Sequence, residues 1–157
     1  MILPVEDADF DDLNERGLVR GLRVADGGVA PAPVVAMLRD LARKVGVTCS
    51  PAAWWIVDGG EVVGLCSIKA EPTEDGAIEI GYGVAETRHG QGIARQAVSE
   101  VLAWARLRDD LTAVTAETSI SNPASQRVLE RNGFTRTGTR VDPDDGIIVC
   151  WRASASV

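Results

Sequence analysis

The chain has 157 residues, 45% of them hydrophobic, and a formal net charge of −7. That length predicts a single domain over residues 1–157 whose core needs no disulfide bonds. The negative charge argues against a nucleic-acid partner, because nucleic acids are bound mainly through cations that neutralise phosphates. The acidic opening MILPVEDADFDD is unlike a signal peptide, and no apolar run is long enough to span a bilayer. We therefore expect a cytoplasmic protein with no membrane partner.

The first third of the chain is predicted to hold two helices. A short strand over residues 2–5 precedes a helix that Asp7 would cap. Residues 16–30 are dotted with glycines and indicate no clear element. After Pro31, apolar residues at helical spacing predict a second helix that ends near Gly46.

Strand patterns follow in the middle of the chain. Trp54–Val57 and Glu61–Lys69 flank Asp58-Gly59-Gly60, which predicts a hairpin. Ala77–Val84 is a further strand. Its alternation places Ile78, Ile80, Tyr82 and Val84 on one face and Glu79, Gly81 and Gly83 on the other. We expect the second face to be nearly bare, with room for a ligand to approach the backbone.

The last third alternates helices and strands. We predict a helix over Gln91–Leu107, a strand over Leu111–Glu117 and a helix that Asn122 caps. A terminal hairpin over residues 134–152 follows. The predicted order of elements has strands first and then strands that alternate with helices. This order predicts an α/β protein with a mixed sheet.

The stretch RHGQGIARQA has two glycines between a predicted strand and a predicted helix. A Walker-type loop would need Lys and then Ser or Thr where Ile93 and Ala94 stand. A dinucleotide fingerprint would need Gly or Ala where Arg95 stands. A plain Gly-x-Gly turn fits better, because it points backbone N–H groups at an anion from the positive end of a helix. The loop is thus predicted to hold a pyrophosphate without a metal ion, and three widely spaced cysteines suggest no metal site either.

The loop His89-Gly90-Gln91-Gly92-Ile93-Ala94 resembles the acetyl-CoA loop of the GNAT superfamily of N-acetyltransferases. His89 stands where the family usually has Arg or Gln. A second stretch, Asn122-Pro123-Ala124-Ser125 with Val128 to Phe134 after it, resembles a later helix of that family. The strand Glu79 to Val84 is similar to the branch that acetylates the N-termini of ribosomal proteins. The resemblance implies a GNAT-like fold, with a mostly antiparallel central sheet between helices, and acetyl-CoA as cosubstrate.

The resemblance also implies roles for the matching residues. The loop residues His89, Gly90, Gln91, Gly92, Ile93 and Ala94 would bind the pyrophosphate, and backbone groups of Tyr82, Gly83 and Val84 would bind pantetheine and the thioester carbonyl. Asn122 would cap its helix and bond to the cofactor. Relatives often have a tyrosine as general acid where this chain has Leu129, which leaves Ser125, a water or no acid at all. The side chain of Tyr82 is expected to pack in the core.

Glu79 is the candidate general base, because it is an acid in an otherwise apolar strand. The alternative is a carboxylate on the open face that only attracts a cationic amine. The acceptor is expected to be a protein or peptide N-terminus, from the branch resemblance, or a small amine, which the acidic charge would suit. Oligomeric state stays open, a homodimer included. Two rival functions are a CoA-binding or regulatory module without catalysis and a nucleotide-dependent oxidoreductase.

Overall fold

Nine strands and four α-helices lie within residues 1–156, the part of the chain that the computed structural model describes. In chain order they are β1 (Ile2–Pro4), α1 (Asp7–Arg16), β2 (Leu18–Val19), β3 (Leu22–Val24), α2 (Ala32–Val45), β4 (Ala53–Asp58), β5 (Glu61–Ile68), β6 (Ala77–Val84), α3 (Ile93–Arg106), β7 (Ala113–Ser119), α4 (Pro123–Arg131), β8 (Thr135–Asp142) and β9 (Gly146–Ser154). The segment 16–30, which had no clear pattern, contains the two short strands β2 and β3.

The strands form one sheet in the order β1-β4-β5-β6-β7-β9-β8. β2 and β3 form a small antiparallel ribbon that joins the start of β5. Only two pairings among the described residues are parallel, β3 with β5 and β6 with β7. The second one needs a crossover, which α3 supplies. This confirms the prediction of a mixed, mostly antiparallel sheet flanked by helices.

Helices cover both faces of the sheet, so each face has its own core. Trp54 lies with residues of α3, β6 and β7 in the larger core, whereas its neighbour Trp55 packs against Phe10 of α1 and Val35 of α2. Adjacent residues of a strand point to opposite faces, so a pair of tryptophans serves both cores. The two side chains are at most 2% exposed.

Two helix starts differ from the prediction. The N-cap of α1 is Glu6 rather than Asp7, because the Asp9 carboxylate accepts the Glu6 backbone N–H at 2.8 Å in a capping box. Helix α3 begins at Ile93 rather than Gln91, because Gly92 has a left-handed φ of 76° that no helix interior accommodates.

Candidate active site

Strands β6 and β7 pair at one end and separate at the other. Their register pairs stop at Ile80 and Ala116, although β6 continues to Val84 and β7 to Ser119. On its other side β6 stays paired with β5 as far as Val84. In the described part of the chain, residues 81–84 therefore have no strand partner toward the gap, and their backbone groups are open to a ligand there.

A cleft of about 580 Å³ lies at this gap, between the N-terminal ends of α3 and α4. Its lining includes ten of the twelve predicted site residues: Tyr82, Gly83, Val84, His89, Gly90, Gly92, Ile93, Ala94, Asn122 and Ser125. The remaining two, Gln91 and Glu79, are outside the lining. The helix starts at Ile93 and Pro123, 30 residues apart in sequence (123 − 93), thus meet at one place, because the crossover puts both at the same edge of the sheet.

The Gly-x-Gly turn has the conformation that only glycine adopts without strain. Gly90 and Gly92 both have a φ of 76°, and Gly92 is the N-cap of the 14-residue helix α3. No side chain of the described residues caps this helix start. Its first N–H groups, at the positive end of the helix dipole, therefore face the cleft and can bind an anion.

Arginines surround the cleft although the protein as a whole is acidic. Arg95 on α3 and Arg127 and Arg131 on α4 line it. Within residues 1–156 no carboxylate lies within ion-pair distance of these three side chains. Arg88 differs, because it pairs with Asp58 and Glu61. The three arginines are therefore available to neutralise a multiply charged anion.

His89 contacts the backbone of the strand before it. Its Nε2 lies 2.7 Å from the carbonyl oxygen of Val84, and the ring is exposed at the edge of the cleft. The imidazole therefore covers the last carbonyl of the open β6 edge, in addition to lying beside the glycine turn.

Helix α4 places Ser125 deep in the cleft, where it meets Tyr82. The Asn122 side chain accepts the Ser125 N–H at 3.2 Å, so Asn122 is the predicted helix cap. The Ser125 hydroxyl lies 2.8 Å from the Tyr82 hydroxyl. Burial raises the pKa of Tyr82 to about 12. The Tyr82 side chain packs against the core as expected, but the alternation of β6 gave no signal that its hydroxyl would reach α4. Leu129, one turn further along α4, is fully buried.

Glu79 lies on the other face of the sheet. Its carboxylate is 3.2 Å from the Lys69 ammonium, and its side chain is 32% exposed. The expectation of a bare face fails at Gly81, because a Cβ there would lie 3.2 Å from Cδ of Lys69. It holds at Gly83, where a Cβ would meet nothing within 4 Å. Lys69 directly follows β5, so a pattern within β6 alone did not reveal it.

Glu117 on β7 is a second carboxylate on the face of Glu79, and it was not among the predicted site residues. Arg140 binds both of its oxygens, at 2.5 and 3.0 Å, and holds the pKa of the Glu117 carboxyl below its usual value. Cys150, half-buried beside it, donates to the same carboxylate at 3.7 Å. The alternation of β7, with Thr115, Glu117 and Ser119 on one face, was the signal that could have indicated this residue.

Residues 1–156 contain no group of three or more His, Cys, Asp or Glu side chains placed to hold a metal ion. Among the same residues, no helix has the length and apolar character that crossing a bilayer requires.

A protein family and two known proteins resemble this chain in sequence. The family model "Acetyltransferase (GNAT) domain" matches residues 1–135. The chain is 32% identical over 98 residues to the uncharacterized N-acetyltransferase YjdG of Bacillus subtilis (strain 168), covering 61% of this chain and 58% of that protein. It is 34% identical over 79 residues to the ribosomal-protein-serine acetyltransferase of Escherichia coli (strain K12), covering 50% of this chain and 44% of that protein. These matches span about half the length of the two relatives.

The fold matches solved acetyltransferases over nearly its whole length. RimL, a ribosomal-protein alpha-N-acetyltransferase solved in complex with coenzyme A, superposes with a TM-score of 0.73 at 19% identity. The match covers 98% of this chain and 92% of that one. At this identity the likeness concerns the fold, whereas the family model concerns the sequence itself. The chain is therefore a member of the GNAT acetyltransferase family.

Proposed function

We propose that this protein transfers the acetyl group of acetyl-CoA to a primary amine, with both substrates bound at the same time. The observation that carries the proposal is the cleft where β6 and β7 separate. Its open strand edge, uncapped helix start and three arginines without ion pairs lie side by side.

These features suit three parts of CoA. The N–H groups at the start of α3, beside Gly90 and Gly92, would hold the pyrophosphate. The open backbone edge of residues 81–84 would bind the amides of pantetheine as an added strand does. Arg127 and Arg131 would hold the remaining phosphate, because α4 places them on the cleft wall. When bound, CoA supplies an acetyl group activated as a thioester.

The protein's own groups would orient the reactants and stabilise charge. The amine nitrogen forms a bond to the carbonyl carbon, and the carbon–sulfur bond breaks with its electron pair going to sulfur. A backbone N–H of residues 82–84 would stabilise the carbonyl oxygen. The proton that the amine loses passes to a base or to water, and Ser125 would face the departing sulfur. No covalent bond to the protein forms.

The acceptor would approach from the face of the sheet that carries Glu79. Donor-binding groups such as Tyr82 and Ser125 lie on the opposite face, and the gap beyond Ile80 connects the two sides. Glu79 is our candidate for the base, with Glu117 as the second carboxylate on that face. The acceptor we propose is a protein or peptide N-terminus, and a small amine is the second candidate. Three free cysteines suit a cytoplasmic, reducing location.

A thiol-release assay with acetyl-CoA and a panel of amines tests the activity. The panel should contain peptides with a free N-terminal serine, the same peptides with blocked N-termini, and polyamines. Thiol release that requires a free amine supports acetyl transfer. Tight CoA binding without turnover for any amine would favour the alternative, a CoA-binding module, which the apolar Leu129 on α4 motivates.

Calorimetry with CoA, dephospho-CoA and NAD tests the binding mode. Arg127→Gln and Arg131→Gln should each weaken CoA binding about fivefold while leaving dephospho-CoA binding nearly unchanged. Arg106→Gln is the matched control, because Arg106 is an exposed arginine near the end of α3, outside the cleft. Tight NAD binding together with no heat for CoA would overturn the proposal.

A further inference from the structure

We infer that the hydroxyl of Tyr82 orients the hydroxyl of Ser125, so that Ser125 donates a hydrogen bond into the cleft toward the sulfur of CoA. Tyr82 is thus a positioning residue, and strand β6 supplies the phenol that the family often has on the helix. The inference rests on the proposed function.

Either hydroxyl could donate to the other, and we assign the direction of this hydrogen bond from the two distances. The Tyr82 hydroxyl lies 2.8 Å from Ser125 Oγ and 3.4 Å from the Ser125 carbonyl oxygen. The carbonyl belongs to α4, where it can accept an N–H from the next turn. The phenol therefore donates to Oγ across the shorter distance, and the Ser125 proton is left to point elsewhere.

The surroundings direct that proton into the cleft. Ser125 and Tyr82 both line it, whereas Leu129 closes the core behind them. The Asn122 cap fixes the first turn of α4, so the Ser125 backbone cannot turn away freely. Burial keeps the pKa of Tyr82 at about 12, so the phenol still carries its proton when a thiol ionises near pH 8.5.

In this role Ser125 donates a hydrogen bond to the sulfur and does not transfer its proton. When the carbon–sulfur bond breaks, the electron pair stays on sulfur, and the Ser125 O–H stabilises the new charge while keeping its proton. Hydrogen bonds to ionised groups are about twice as strong as those between neutral groups. Bound CoA should therefore favour its ionised thiol, an effect that can be measured without knowing the acceptor.

The test compares CoA with desulfo-CoA by calorimetry as the pH rises through the ionisation of the thiol. In the wild-type protein the affinity for CoA relative to desulfo-CoA should rise about tenfold on ionisation. Ser125→Ala should abolish this rise, and Tyr82→Phe should remove most of it. The double variant should behave like Ser125→Ala alone. Ser125→Thr keeps the hydroxyl and should retain the rise. Ser99→Ala, on the exposed side of α3, is the control.

A second measurement uses the fact that Tyr82 is the only tyrosine of the chain. Incorporating 3-fluorotyrosine labels this position alone and strengthens the phenol as a donor, so the rise with pH should become larger. The fluorine NMR signal should shift as the thiol of bound CoA ionises, and should not shift with desulfo-CoA. The fluorinated protein tests whether Tyr82 positions Ser125 even if Tyr82→Phe does not fold.

Several outcomes would overturn the inference. If Tyr82→Phe keeps the wild-type rise while Ser125→Ala loses it, Tyr82 does not position Ser125. A rise that survives in both variants, or is absent from the wild type, means that neither hydroxyl contacts the sulfur. Failure of the proposed function looks different. The wild-type protein would then either bind neither CoA nor desulfo-CoA, or bind CoA without acetylating any amine of the panel.

Discussion

The ammonium of Lys69 lies 3.2 Å from the carboxylate of Glu79, and the Lys69 side chain crosses β6 over Gly81. Both partners are partly exposed, at 48% and 32%, so the ion pair itself adds little stability. Its consequence concerns catalysis, because the carboxylate that we propose as the base already has a cation beside it.

Glu79→Gln tests the base. We expect turnover to fall by about a hundredfold, and most strongly at low pH, where the amine is protonated and depends on a base. Lys69→Met breaks the same ion pair but leaves the carboxylate, and should keep most of the activity. The pH dependence of the rate is the measurement. An unchanged profile in Glu79→Gln would remove Glu79 as the base, and Glu117→Gln would be the next variant to measure.

Gly83→Val tests whether a ligand must approach the β6 backbone. A Cβ at Gly83 meets no atom within 4 Å, so the folded protein should accept the side chain with almost no change in Tm. Turnover should nevertheless fall at least about tenfold, because the new side chain stands on the Glu79 face of β6, beside the gap where we propose that the acceptor approaches. Gly138→Val is the matched control. That glycine of β8 is equally open and lies outside the cleft, so both Tm and turnover should stay unchanged.

Asn122 has a structural role and a proposed cofactor contact, and two variants separate them. Asn122→Ala should lower the free energy of unfolding by about 1 kcal/mol, because the Ser125 N–H loses its acceptor. Asn122→Ser keeps a capping hydroxyl and should restore the stability in urea unfolding. A CoA affinity that stays low in Asn122→Ser would indicate a direct contact of the amide with the cofactor. An affinity that returns together with stability would leave Asn122 as a cap alone.

Asp9 should make the protein sensitive to acid. Burial by itself would raise the pKa of Asp9, but hydrogen bonds from Arg20, the Glu6 N–H and Trp55 together lower it. A lowered pKa in the folded state means that its stabilisation is present above the unfolded value of about 3.9. That stabilisation is lost as the pH falls below this value.

Asp9→Asn should therefore cost about 3 kcal/mol at neutral pH and flatten the loss of stability in acid. Urea unfolding at several pH values measures both effects. Asp109→Asn changes an exposed carboxylate in the same way and should move the midpoint very little. Equal effects of the two substitutions would show that the buried network around Asp9 contributes nothing specific.

Local patterns predicted most of the elements, and the family resemblance indicated ten of the residues that line the cleft. These patterns depend on a few neighbouring residues, as in the alternation of β6, the Asn122 cap and the glycine turn. They can therefore be recognised without knowing how the rest of the chain folds. The family resemblance then indicated that the loop and α4 face one ligand. Helix starts were less accurate, because capping depends on side chains such as Asp9 that reach back along the chain.

The order of the elements and the Gly-x-Gly turn follow from the amino-acid sequence alone. Which side chains meet depends on the packed fold, which brings together Lys69 and Glu79, Arg140 and Glu117, and the hydroxyls of Tyr82 and Ser125. The physical reason is that periodicity within a strand assigns a side chain to a face. The partners of that side chain come from neighbouring strands and helices. The strand register and the crossover connection set the distances between the side chain and these partners.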